Sequence, residues 1–144
     1  MAQITYSYRT VQVPASAPFP QGQTLHKPMT IATLTAGSGE RLRCLVLLDT
    51  GADSCVFPLA MAIALKIDVL SLPKNITGGV GSNSNVTYYD NLSIDLDNGV
   101  VFSAYVGFTE GMDPHGIGLL GQEGFFDRYD VTFSHRGKTA TLEV

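Results

Sequence analysis

Apolar and polar positions alternate along much of the chain, and a period of two is typical of β-strands with one buried face. The alternation predicts strands at residues 29–34, 86–96 and 100–108. An Asp-Asn-Gly sequence at 97–99 predicts a tight hairpin turn between the last two. Residues 41–48 differ, because their second half is continuously apolar, which predicts a strand buried on both faces.

Helical patterns are short and few. Residues 58–66 are rich in Ala and begin with Pro58, so they predict a short helix, and residues 121–128 predict one or two helical turns. The remaining segments are predicted as a strand at 116–120, a last hairpin of 130–133 with 139–144, and loops at 75–85 and 109–115. The predicted fold class is therefore mainly β, with two short helices.

Residues 1–28 have the composition of an arm rather than of a folded body. Residues 1–13 hold enough alternation for one strand, and four prolines then interrupt regular structure, at positions 14, 18, 20 and 28. We therefore expect an N-terminal arm or extension at 1–28 and one domain at 29–144.

Composition and charge narrow the functional classes. Charged residues make up 15% of the 144 positions and the net charge is −4, with no basic cluster, which argues against a nucleic-acid partner. The chain has neither an apolar leader nor a run long enough to span a bilayer, so we expect a cytoplasmic protein without a membrane segment. Cys44 and Cys55 are expected to be reduced, and the three His lack metal-ligand spacing, so no cofactor is predicted.

Asp49 is the candidate for chemistry, because it follows the apolar run of 44–48 directly. A carboxylate at the end of a buried strand is costly unless it is hydrogen-bonded or shared. Asp49-Thr50-Gly51 is also a good turn sequence, in which Gly supplies backbone freedom, so a purely structural turn is the simpler interpretation of these three residues alone.

Three ordered elements extend the match beyond that triplet. The run Leu45-Val46-Leu47-Leu48-Asp49-Thr50-Gly51-Ala52-Asp53-Ser54 comes first, a Gly-rich segment Ile76-Thr77-Gly78-Gly79-Val80-Gly81 second, and Ile117-Gly118-Leu119-Leu120-Gly121 third. Together they resemble the active-site loop, the flap and the C-terminal apolar-apolar-Gly element of the retropepsin-like aspartic proteases, a single-domain, retroviral-type family. The chain looks like a cellular or bacterial member of that family. The resemblance covers residues 29–144 and implies a closed β-barrel of the retropepsin-like acid protease type.

The chemistry of that family requires two carboxylates. One acts as a base on a water molecule while the other acts as an acid, and two carboxyls held about 3 Å apart share a proton, as is established for aspartic proteases. This chain has one such triplet, and its other Asp-containing segments lack the context of Asp49. The resemblance therefore implies a homodimer in which a second copy supplies the second Asp49.

The resemblance also implies a role for each matched position. Asp49 would be catalytic, Thr50 would fix the pair of loops, and Gly51 would let the loop turn and accept a hydrogen bond from a peptide or protein substrate. Substrate binding would involve a further set of residues, namely Ala52, Asp53, Gly78, Gly79, Val80, Gly81 and Leu119. Purely structural roles stay open for several of these residues. Asp53 is also suited to capping the helical region that follows it, Leu119 to packing in the core, and the glycines at 78, 79 and 81 to a flexible surface turn.

The chain departs from the viral pattern after Gly121. Viral members carry an Arg there that pairs with the position of Asp53, whereas this chain has Gln122, and Arg128 is the nearest candidate to replace it. Two other functions remain in view. One is a non-catalytic peptide-binding or dimerisation module on the same fold, and the other is an unrelated small β-barrel with a coincidental turn.

Overall fold

The computed structural model describes residues 2–78 and 84–144, and every strand and helix named below lies in these ranges. The strands are β1 (Gln3–Ser7), β2 (Arg9–Val13), β3 (Gln23–Lys27), β4 (Met29–Thr35), β5 (Arg41–Leu48), β6 (Val56–Pro58), β7 (Lys74–Gly78), β8 (Ser84–Asp95), β9 (Val101–Thr109), β10 (Gly118–Leu120), β11 (Val131–Ser134) and β12 (Thr139–Glu143). The helices are α1 (Leu59–Ala64) and two 3₁₀ helices, Val69–Ser71 and Glu110–His115.

Six strands close into a barrel in the order β4-β5-β10-β6-β9-β8, because β8 pairs back onto β4 through Thr33 and Asp95. Closure removes the free strand edges that invite aggregation. The short strand β10 lies parallel to β5 and antiparallel to β6. The chain therefore leaves the barrel after β5, returns in β6, and has β10 inserted between these two strands.

The barrel interior is filled by the apolar positions of its strands. Each of the six barrel strands contributes fully buried side chains, among them Leu34, Val46, Phe57, Ile94, Phe108 and Leu120. Burying one such side chain stabilises a fold by about 1.5–3 kcal/mol, so the barrel is the main source of stability. A Cβ added at Gly118 would overlap the Phe57 ring, so β10 approaches β6 this closely only because position 118 is Gly.

Two smaller sheets lie outside the barrel. The terminal sheet, with order β1-β12-β11, joins the two ends of the chain, and Val144 N–H donates to Ala2 O at 3.0 Å. Tyr6, Ala140 and Leu142 anchor this sheet to the barrel core. The second sheet is the β2–β3 hairpin, in which Arg9 pairs with Lys27 and Val13 with Gln23.

Most of the predicted strands form close to their predicted bounds, and β5 spans residues 41–48 as predicted. The α-helix predicted over residues 58–66 is shorter, because α1 ends at Ala64 and Lys66 turns away with a φ of 57°. Three strands were not predicted as such. These are β6, β7 and β3, and the segment predicted to hold one early strand holds both β1 and β2.

The helical turns predicted at residues 121–128 are wrong as a helix. The segment forms successive turns, in which Phe126 N–H and Asp127 N–H donate five residues back, to Gly121 O and Gln122 O. Gly124 adopts a φ of 105°, which a right-handed helix excludes. The loop predicted at 109–115 is instead mostly the 3₁₀ helix Glu110–His115. The domain boundary at residue 28 stays a prediction.

In residues 2–78 and 84–144, no helix combines the length and the apolar character that crossing a bilayer requires.

Candidate functional site

Asp49 stands immediately after β5, at the point where the chain leaves the barrel. Its backbone N–H donates to Leu120 O at 3.0 Å, which ties it to the neighbouring strand β10. Leu48 N–H, one residue earlier, donates to Pro28 O at 2.9 Å. The side chain of Asp49 is half-buried. The carboxylate is therefore held at a fixed place on the barrel rim, with part of its surface open.

The loop from Asp49 to Ala52 closes on itself through two short hydrogen bonds. Gly51 N–H donates to Asp49 Oδ1 at 2.9 Å, and Ala52 N–H donates to Asp49 O at 3.1 Å. The first bond satisfies one carboxylate oxygen and aligns the group, as in Asx turns. Thr50 and Gly51 are exposed on the outer side of the turn.

A second segment, residues 121–123, braces that loop from behind. Gln122 N–H donates to Ala52 O at 2.8 Å, and Glu123 N–H donates to Asp53 O at 2.9 Å. A Cβ on Gly121 would overlap Ser54 O and lie 2.7 Å from Ala52 O, so only Gly permits this contact. The two segments of the sequence motif, although about 70 residues apart in the chain, are thus one hydrogen-bonded unit.

Gln122 contributes a side-chain contact that the sequence did not predict. Its Nε2 donates to Thr50 O at 2.8 Å, across the outer side of the Asp49 loop. The viral pattern has an Arg at this position, whereas here the Gln122 amide ties the Asp49 loop to the segment that follows β10 within one chain. In the sequence, Gln122 was noticeable only because the viral pattern has Arg at this position. No local pattern could have identified Thr50 as its hydrogen-bond partner.

Arg128 does not replace the missing Arg. Its Nη2 donates to Ser103 O at 2.6 Å, on β9. Within residues 2–78 and 84–144, the one ion pair joins Lys66 and Glu40, so Asp53 has no cationic partner there. The interpretation of Arg128 as a substitute partner for Asp53 is therefore wrong for the single chain.

Asp53 borders an open groove of about 410 Å³. The groove lies beside the Asp49 loop and is lined by Asp53, Ser54, Pro73, Lys74, Asn75, Tyr89, Tyr105 and Glu123. Tyr89 and Tyr105 stack in its wall, with ring centroids 5.5 Å apart and an angle of 20° between ring planes. Such a mixed polar and aromatic lining suits an extended peptide, with aromatic faces for side chains and polar groups for the backbone.

The other predicted site residues divide into two groups. Ala52 belongs to the Asp49 loop, and Leu119 lies on β10, where it pairs with Leu47 and Val56 one residue before the carbonyl that holds Asp49. Gly78 ends β7 and pairs with the first residue of β8. Gly79, Val80 and Gly81, predicted as the tip of a flap, lie outside the described residues.

Cys44 lies within β5, and Cys55 lies directly before β6. Neither forms a disulfide in the described part of the chain, and Cys55 Sγ donates to Glu123 O at 3.5 Å. Burial raises the pKa of Cys44 to about 11, and burial also raises the pKa of Cys55. Both therefore pack as neutral, poorly reactive groups at neutral pH. No group of three His, Cys, Asp or Glu suited to a metal ion occurs among the described residues.

Comparison with known proteins bears on the fold of the chain. No protein-family model matches the sequence, and no curated protein matches it. Among solved structures, the chain is similar to a retropepsin-like aspartic protease from Rickettsia conorii, with a TM-score of 0.58 and 16% sequence identity over 99% of each chain. The predicted fold class, a closed barrel of the retropepsin-like acid protease type, is confirmed by this likeness, which at such identity concerns the fold.

Proposed function

We propose that this protein is an aspartic endopeptidase that acts as a homodimer and hydrolyses peptide bonds. One observation carries the proposal, which is the position of the half-buried Asp49 carboxylate in a loop braced by Leu120 and residues 121–123. A carboxylate used only for a turn needs no second segment holding its loop from behind. Catalysis does need one, because a reacting group must be kept within a fraction of an ångström of its working position.

In the proposed mechanism, Asp49 of each copy contacts one water molecule lying between the two. One carboxylate accepts a proton as the water oxygen attacks the peptide carbonyl carbon, and the other carboxyl donates a proton to the carbonyl oxygen. The proton taken from the water then passes to the leaving nitrogen as the C–N bond breaks, and the second carboxylate takes its proton back from a hydroxyl of the tetrahedral intermediate as the carbonyl reforms. Because the mechanism needs one carboxyl as the acid and the other as the base, a mildly acidic rate optimum is expected.

The neighbouring residues would position the substrate and the pair. Thr50, exposed at the outer side of the turn, is free to reach the partner's loop, and Gly51 offers its carbonyl to a substrate N–H. Ala52 keeps the approach open, and Asp53 accepts hydrogen bonds at the end of its groove. Residues Gly78, Gly79, Val80 and Gly81 would close over the substrate and exclude water, with Leu119 lining a side-chain subsite.

The test compares wild type with Asp49→Asn on a denatured, broad protein substrate between about pH 4 and pH 7. The substitution is expected to lower the cleavage rate by at least about a thousandfold without changing the thermal midpoint. Asp68→Asn is the matched control, since Asp68 is exposed and its carboxylate makes no hydrogen bond within the described residues. Equal activity of wild type and Asp49→Asn would overturn the proposal.

Subunit mixing tests the shared site directly. When equal amounts of wild type and Asp49→Asn exchange subunits, only about a quarter of the dimers contain two intact Asp49 residues, so activity should fall to about a quarter rather than a half. A value of one half after complete exchange would show that each chain works alone. Absence of all cleavage by a stable dimer would favour the peptide-binding alternative.

A further inference from the structure

The β2–β3 hairpin stands apart from the other two sheets of the described chain. Its two strands pair with each other and with no strand of the barrel or of the terminal sheet in the described residues. None of its side chains belongs to the core cluster. An isolated two-stranded hairpin is only marginally stable in water, so a hairpin of this kind gains from a surface to pack against.

The tip of the hairpin is nevertheless held in one conformation. Ser16 and Phe19 exchange two backbone hydrogen bonds of 3.0 and 3.1 Å, and Gly22 N–H donates to Phe19 O at 2.9 Å. Pro18 and Pro20 restrict the backbone on either side of Phe19. The Phe19 side chain is 46% exposed at this tip. A fixed, exposed aromatic group loses little entropy when it is buried by a partner.

The hairpin leaves the barrel next to the candidate active site. Pro28 follows β3 directly, and its carbonyl accepts the 2.9 Å hydrogen bond from Leu48, the residue before Asp49. The proposed site needs a second Asp49 close to the first. Each hairpin would therefore start beside the two-fold axis of such a dimer, within reach of the other copy.

The hairpin differs in charge from the rest of the chain. No acidic residue occurs before Glu40, whereas residues 40–144 contain thirteen acidic and seven basic residues. Arg9 and Lys27 stand directly opposite each other at the base of the hairpin, an arrangement of like charges that is unfavourable on its own. An acidic partner surface would relieve it, and the body of a second copy is acidic.

We infer that the β2–β3 hairpin is a dimerisation arm, which packs its basic base and its Phe19 tip against the acidic body of a second copy beside the paired Asp49 loops. The inference rests on the proposed homodimeric function. The last strand, β12, is not available for this role, because β1 and β11 already pair with both of its edges within one chain. The arm thus supplies contacts between two copies. An Arg at position 122 is absent, and the terminal sheet forms within one chain, so neither supplies these contacts.

Sedimentation equilibrium of the full chain tests the arm through its tip. Phe19→Ser is expected to raise the dimer dissociation constant at least tenfold, with an unchanged circular dichroism spectrum. Phe133→Ser is the matched control, because Phe133 is 36% exposed on the terminal sheet, and it should leave the dissociation constant within about twofold. Weakening by Phe133→Ser alone would place the interface on the terminal sheet and overturn the arm.

A charge reversal tests the base of the arm. Arg9→Glu with Lys27→Glu keeps like charges opposite each other in the hairpin but should raise the dissociation constant at least tenfold, whereas Arg136→Glu with Lys138→Glu, the same charge change in the β11–β12 turn, should not. A wild-type dimer unaffected by either arm variant would overturn the arm and leave the proposed function intact. A wild-type chain that is monomeric at every concentration would overturn both.

Discussion

The Asp49 loop and the tip of the β2–β3 hairpin are both short turns closed by backbone hydrogen bonds of about 3 Å, yet they are embedded very differently. The loop is bonded to Leu120, Gln122 and Glu123, so distant segments hold it. Among the described residues, the backbone hydrogen bonds of the hairpin tip join Ser16, Phe19 and Gly22 to one another. A turn of the first kind can fail only together with the barrel, whereas a turn of the second kind can fail alone.

Gly121→Ala should have the largest effect, because the added Cβ would overlap Ser54 O and crowd Ala52 O behind the Asp49 loop. We expect a loss of about 3 kcal/mol in the free energy of unfolding, together with loss of hydrolytic activity. Chemical denaturation measures the first. Gly37→Ala is the control, since a Cβ there meets no atom within 4 Å, and a similar loss in both variants would contradict the bracing role of Gly121.

Gln122→Ala should have an intermediate effect, because it removes the 2.8 Å bond from Nε2 to Thr50 O. The expected loss of stability is about 1 kcal/mol, and kcat/KM on a peptide substrate should fall by about tenfold as the Asp49 loop loosens. Gln122→Glu should not restore the rate, because a carboxylate cannot donate. Asn91→Ala removes an exposed amide elsewhere on the barrel, and an equal fall in kcat/KM there would refute the positioning role.

These two predictions rest on contacts of the kind that the sequence alone could not predict. The strand before Asp49, the motif at 117–121 and the last hairpin were predicted because each carries a local pattern. The sequence could not show that Gln122 bonds Thr50, or that β6 pairs in parallel with β9, because both contacts join segments about 50 to 70 residues apart. Residues 121–128 were predicted as one or two helical turns, and the positive φ of Gly124, which local sequence did not reveal, prevents a continuous helix there.

Alkaline pH should lower the free energy of unfolding by a smaller amount. Burial raises the pKa of Cys44, on β5, to about 11, so the folded chain keeps a proton that the unfolded chain releases near the ordinary thiol pKa of about 8.5–9. Stability is therefore full below that ordinary value and declines as pH rises toward 11. Thermal melting at about pH 8 and about pH 10 measures the decline, which should be shallower in Cys44→Ala; identical slopes would exclude Cys44 as its source.

Gly22→Ala should have the smallest global effect, although its Cβ would lie 2.5 Å from Val13 O and its φ is 75°. The strain is comparable in kind to that of Gly121→Ala, but it falls in a hairpin whose strands pair with no barrel strand among the described residues. We expect an unchanged thermal midpoint and faster hydrogen exchange confined to residues 9–27. A drop in the midpoint like that of Gly121→Ala would show that the hairpin belongs to the cooperative core.

The pairing of β1 with β12 has a consequence for synthesis. Gln3 lies opposite Glu143, so β1 has no partner within its own sheet until β12, about 140 residues later in the chain, has left the ribosome. Closing so long a loop is entropically slow, and it comes after the barrel strands between them can already have paired. We therefore expect a nascent chain to hold a closed barrel with an unpaired N-terminal strand, and truncation after residue 138 to leave it so.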